Sequence, residues 1–150
     1  MPTVDFARTL IVPADEGVVW STVTDVTTVA GWVSVVAEVV EVEPLSVYRA
    51  ELSDGMGPFT LRADLLVKVI EVNPPERIGF SAEGEDLQIG TRIRVGAVLA
   101  LRGLNESTEI DVRGSYEVTG RVATLGASMI RTKGEKILDE FCGAVAAAFG

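Results

Sequence analysis

The chain reads as an α+β protein in which one strand, two short helices, six further antiparallel strands and a long closing helix follow one another over residues 1–150. Three observations predict this. Apolar and polar residues alternate through most of residues 36–118, the signature of sheet with one wet face. Helical period appears just after the first strand and again at the C-terminal end. The composition, 47% hydrophobic but only 6% aromatic, demands a core of Val, Ala, Leu and Ile, which suits a sheet-rich fold. At 150 residues the chain is the size of one domain and can bury most of its apolar surface around one core.

Residues 3–12 form the first strand, with Val4, Phe6, Leu10 and Val12 on one face, and Pro13 ends it. In "ADEGVVWSTVTDV" the period changes. Asp15 is the expected N-cap, Glu16 sits in the first turn, and Val19, Trp20 and Val23 share a face in a helix ending near Asp25. A second, weaker helix is expected over "TTVAGWV", capped by Thr27 or Thr28. Strands follow at "VAEVVEVEP", "SVYRAEL" and "PFTLRADLLVKVIEV", separated by turns at Pro44, Asp54-Gly55 and Asn73-Pro74-Pro75. Three more occupy residues 76–84, 89–102 and 107–118. The last segment, about residues 121–148, returns to helical period with Val122, Leu125, Met129, Ile130, Ile137, Leu138, Phe141 and Val145 on one stripe. Such a helix would be roughly 40 Å long, enough to cross a curved seven-stranded sheet.

Composition excludes more chemistry than any motif adds. There is no histidine, which removes His-dependent triads, imidazole bases and His-ligated metals. A lone Cys142 forms no internal disulfide and, without histidine, makes a zinc site unexpected; a reducing cytoplasm is the simplest setting. A formal charge of −9 opposes nucleic acid and anionic membranes as electrostatic partners but leaves a basic protein surface open. The N-terminal run carries Asp5 and Arg8, so it has the form of neither a signal peptide nor a membrane span.

The glycine pair in "VTGRVATLGASMI" invites comparison with a phosphate loop. The spacing from Gly120 to Gly126 is too long and no lysine follows, so the pair reads as a strand-to-helix junction. Gly120 is expected to make the sharp turn and Gly126 to allow close approach of helix to sheet or ligand. Glu109, Asp111 and Glu117 alternate beside Arg113, and Arg92 and Arg94 share a strand face; both patterns read as solvated faces with cross-strand pairs. Tyr48, Phe59, Phe80 and Tyr116 have the spacing of sheet core, Trp20 that of a core anchor, and Cys142 that of helix packing. Trp32 is read equally as core or as a cavity rim. A long helix laid across a curved sheet leaves room for a cavity, but apolar lining and core look alike in a sequence.

Three stretches together, "PADEGVVWSTVTDV", "YRAELSDGMGPFTLRADLLVKVIEVNPPERIGFSAEG" and "GRVATLGASMIRTKGEKILDEF", resemble the carbon monoxide dehydrogenase G-subunit family, within the START-like, helix-grip (SRPBCC) superfamily. The "GMGPF" and "NPPER" turns and the "GRVATLG" junction are the specific elements. The resemblance implies a single START-like ligand-binding domain over residues 1–150, with a seven-stranded sheet gripping the closing helix around an apolar tunnel. It also implies a non-catalytic link to molybdenum-containing carbon monoxide dehydrogenases or related hydroxylases, through membrane recruitment or carriage of a lipophilic quinone. Where family members often have a Pro-Gly step, this chain reads "GWVSVVAEV"; where many extend toward the membrane, it ends at Phe149-Gly150, so at most transient contact at the inner face is expected.

The leading expectation is therefore a carrier of a hydrophobic small molecule, an isoprenoid quinone such as menaquinone or another lipid, with no metal or catalytic residue. Its expected lining is Trp32, Val36, Tyr48, Leu52, Met56, Phe59, Leu65, Leu99, Leu125, Met129 and Phe141, chosen for position near the helix-sheet junction and the loop mouth. The alternatives are a cyclase or hydrolase of the same fold, with Tyr48 or Tyr116 acting in the cavity, and an acidic adaptor that recruits a dehydrogenase to the membrane.

Overall fold

Period-two alternation builds β1 (Thr3–Val12), whose Val4 and Val12 are buried while Ile11 on the opposite face is exposed. The computed structural model describes residues 3–150, with the side chain of Met56 outside that description. After β1 come α1 (Glu16–Val23) and α2 (Val26–Ala30), then β2 (Val36–Glu43), β3 (Val47–Met56), β4 (Phe59–Asn73), β5 (Arg77–Asp86), β6 (Thr91–Leu104) and β7 (Ser107–Gly120). A 3-10 turn (Val122–Leu125) leads into α3 (Ala127–Phe149). The seven strands form one antiparallel sheet in the order β1-β7-β6-β5-β4-β3-β2, so β1 and β2 are its free edges.

Caps set the helix starts. The Asp15 carboxylate accepts from the backbone N–H of Gly17 at 3.1 Å, the N-cap expected for α1. The second helix begins earlier than expected: Asp25, not Thr27 or Thr28, accepts from the Thr28 N–H at 3.3 Å and caps α2. Its helical span closes at Ala30, before Trp32, because Gly31 takes the C-cap.

The closing helix is not continuous from residue 121. Gly126 has φ +100°, a conformation that an L side chain strains to adopt, and it breaks the segment into the 3-10 turn and α3. No atom lies within 4 Å of where a Gly126 β-carbon would stand, so the glycine supplies backbone conformation rather than close approach. At about 1.5 Å per residue α3 is roughly 35 Å long, and it approaches the sheet most closely along β1. Close approach falls to Gly134, where a β-carbon would collide with the Tyr116 hydroxyl oxygen.

One expected turn, Asp54-Gly55, and part of one expected gap between strands, residues 85–86, lie inside strands. The β3–β4 hairpin turns at Gly57-Pro58, and Asp54 and Gly55 stay in the ladder opposite Leu61 and Thr60. Likewise β5 runs through Gly84 to Asp86, whose buried carboxylate accepts from the backbone N–H groups of Arg62 at 2.8 Å and Gln88 at 3.0 Å. In both places a partner for the side chain lets an acidic residue remain in sheet.

The core has two apolar clusters. One joins Val12, Val19, Ile78, Leu99, Leu101, Ile110, Leu138 and Val145 around α1 and the C-terminal half of α3. The other joins Leu61, Ala63, Leu65, Ala82, Ile93, Val118, Val122 and Ile130 beneath the N-terminal end of α3. Ile110, Val122, Ile130 and Val145 are almost fully enclosed, each contributing about 1.5–3 kcal/mol of transfer free energy. The outer strand faces carry cross-strand ion pairs, Arg94–Glu83, Arg92–Glu85 and Arg102–Glu109, and Arg113 pairs with Asp111 along β7.

Candidate functional site

The concave face between the sheet and α3 carries the apolar residues that the two clusters leave incompletely covered. On β3 the inward positions are Tyr48, Ala50 and Leu52; opposite them on β4 stand Val67, Leu65 and Ala63. Leu52, Phe59 and Leu125 pack half-buried against the second cluster, whose floor includes Leu65. Val36 on the edge strand faces Leu52 in register and is also half-buried. At the other end, Trp32 and Phe141 meet with ring centroids 6.2 Å apart at 54°, both packed half-buried on the cluster that holds Leu99.

The expected lining therefore divides. Val36, Leu52, Phe59, Leu65 and Leu125 come together at one end, and Trp32, Leu99 and Phe141 at the other. Along α3, Ile130 and Phe141 mark these two ends, about 16 Å apart at about 1.5 Å per residue. Met129 is 41% exposed, a rim position, and with Leu125 it abuts the turn at Gly57. Tyr48 is only 3% exposed and its hydroxyl accepts from the Leu45 N–H at 2.8 Å. Met56 lies outside the described side chains.

Two polar contacts tie α3 to the opposite wall. Lys133 Nζ lies 3.0 Å from Asp54 Oδ2 on β3. About two turns further along, Glu140 accepts from the Ser34 hydroxyl at 2.9 Å and from the Ser34 backbone N–H, and these bonds hold its carboxyl below the ordinary range. Neither tie is expected from the sequence, yet a signal for the first exists: counting by twos from Leu52 puts Asp54 on the inward face. A glycine inside a helix, Gly134, is unfavourable by about 1 kcal/mol unless packing requires it, and it signals the separate close approach to Tyr116.

Other features are accounted for by packing. Tyr116 donates to the Ile130 carbonyl at 3.2 Å, and burial pushes its phenol pKa up. Burial likewise raises the Cys142 thiol. A polar groove of about 440 Å³ lies on the outer sheet face among Lys68, Ser81, Glu83, Arg94, Ser115 and Glu117, away from the concave face. A second, of about 400 Å³, runs between β1 and α3 past Phe6, Arg8, Arg131 and Leu138. Neither includes any residue of the expected lining. Among the described residues there is no cluster of acidic or sulfur ligands able to hold a metal ion, and no helix long and apolar enough to cross a membrane.

A seven-stranded antiparallel sheet curved around a C-terminal helix, with two short helices after the first strand, defines the START-like, helix-grip class. Solved structures share it. A conserved protein from Geobacillus kaustophilus superposes with a TM-score of 0.84 at 18% identity, covering 97% of this chain and 95% of its own. A START superfamily protein from Mycobacterium smegmatis does so at 0.70 and 14% identity, covering 97% and 96%. The Zhui aromatase/cyclase from Streptomyces sp. R1128 reaches 0.67 at 14% identity, covering 99% and 92%. At these identities the likeness is one of fold. No curated protein sequence matches the chain. The family model for the carbon monoxide dehydrogenase G-subunit, CoxG, matches residues 9–150, and the chain belongs to that family.

Proposed function

We propose that the protein is a non-catalytic carrier of an elongated hydrophobic small molecule, foremost an isoprenoid quinone such as menaquinone, held between β2–β4 and α3. The observation that carries this reading is the half-buried apolar lining at both ends of the concave face, beside a helix stretch of about 16 Å. A slender tail laid along it would gain roughly 25 cal/mol per Å² buried, before the costs of ordering and association. Membership of the CoxG family supports service to a molybdenum-containing carbon monoxide dehydrogenase or related hydroxylase, in the cytoplasm or at the inner face of the membrane.

A cyclase-type relative shares the fold, but the tyrosines that could act in a cavity are both engaged with backbone, Tyr48 with Leu45 and Tyr116 with Ile130. That favours carriage over catalysis. The charge of −9 favours docking on a basic face of a partner, which a carrier also needs when it delivers its cargo. Titrating the protein with a short-tailed menaquinone while following tryptophan emission tests the reading. Saturable quenching that Trp32→Phe diminishes is expected; emission indifferent to the quinone would remove the basis for a carrier.

A further inference from the structure

The inward face of β3 runs Tyr48, Ala50, Leu52 and then Asp54, a carboxylate where the alternation calls for an apolar side chain. Its register partner, Leu61, is 4% exposed in the second core cluster. Asp54 thus stands on an apolar wall, and its partner is Lys133 of α3 at 3.0 Å. Among the described residues this is the one ion pair in which both side chains are less than a third exposed, 29% for Lys133 and 23% for Asp54. The other pairs lie on or near solvated faces.

The neighbours of this pair are the apolar rim. Lys133 is one helical turn beyond Met129, which abuts the Gly57 turn, and one turn before half-buried Ile137. Asp54 is two residues from Leu52. An ammonium has three donors, and the Asp54 carboxylate stands on one side of it at 3.0 Å. We infer that Lys133 binds the polar head of the ligand, donating to an acceptor oxygen while Asp54 holds the ammonium against the wall. The ligand class is an apolar tail ending in an oxygen acceptor, either a quinone carbonyl or a carboxylate.

The inference rests on the carrier reading and deepens it. It fixes an orientation, with the head at the Gly57 turn and the tail running along α3 toward Trp32 and Phe141. An ion pair that merely pinned the helix would affect all ligands alike, whereas a head-group contact affects only those with an acceptor.

Three probes of similar length separate the possibilities: a short-tailed menaquinone, a long-chain fatty acid and a terpene hydrocarbon without a head group. The wild-type protein should bind at least one acceptor-bearing probe about tenfold more tightly than the hydrocarbon, the scale of one charge-assisted hydrogen bond. Lys133→Met should bring that ratio to within about twofold while hydrocarbon affinity holds. Lys133→Gln keeps a neutral donor: retained preference for the quinone with loss for the fatty acid assigns a carbonyl head, and loss for both assigns a carboxylate. An unchanged preference in Lys133→Met and Lys133→Gln, each confirmed folded by its Tm, overturns the inference and leaves the carrier reading standing. If none of the three probes binds the wild-type protein, the carrier reading itself fails.

Discussion

Gly134 and Tyr116 show how a single hydrogen atom in place of a side chain sets the seat of α3. A β-carbon at Gly134 would collide with the Tyr116 oxygen and stand 2.5 Å from the ring carbon that bears it, so the ring must move and give up its bond to the Ile130 carbonyl. Gly134→Ala should therefore destabilise the fold by about 1–3 kcal/mol in denaturant titration, despite alanine's better helix propensity. In a Tyr116→Phe background the same change should cost less, because the closest atom is gone; equal costs in both backgrounds would refute the contact. Glu140 offers a test by pH. Its folded pKa is depressed by the Ser34 hydrogen bonds, so the tie to Ser34 is fully present above the ordinary carboxylate pKa of about 4 and is lost as pH falls through the lower folded value. Acidification through that window should loosen the Trp32–Phe141 contact and shift tryptophan emission. Glu140→Gln should flatten that shift.

At the scale of elements, the strand and helix order was legible because alternation and period-3.6 stripes are long-range patterns that many residues vote on. Boundaries were less so. Asp54 and Asp86 look like turn residues until Lys133 and the Arg62 N–H supply partners, and those partners are distant in sequence. The junction at Gly126 was legible as a junction, but its physical role was not, since a positive φ and a close approach leave the same glycine behind. Gly126→Leu should cost about 1–3 kcal/mol through backbone strain alone. Gly126→Asn should cost about as much, because φ +100° with ψ +153° lies outside the left-handed helical region that asparagine tolerates. By contrast Ile130→Ala, at a position 2% exposed one turn on, should cost about 2–5 kcal/mol through the void it leaves under α3. Hydrogen exchange should then show protection lost first at the N-terminal end of α3.

For the whole molecule, the candidate site was the least legible feature. Five of the eleven expected lining residues sit at one end of the concave face and three at the other, and a sequence cannot distinguish Leu65 in a floor from Leu52 on a rim. Tyr48, with its ring enclosed and its hydroxyl held by Leu45, is mainly core. The pairing of the polar ties was hidden for the opposite reason: Asp54 could be placed on the inward face, but its partner Lys133, like Glu140 and Ser34, is an ordinary surface residue until folding brings the pair together. The charge of −9 adds a prediction at this scale, that association with the proposed dehydrogenase partner weakens steeply between low and physiological salt. Co-sedimentation or surface binding at two ionic strengths would check it. Occupancy of the concave face is the deciding matter for a carrier. Protein purified without detergent, extracted with organic solvent and analysed by mass spectrometry should yield a lipophilic compound in stoichiometric amount, with less recovered from Leu52→Asp. A clean extract from correctly folded protein, together with no uptake of added quinone, would contradict carriage.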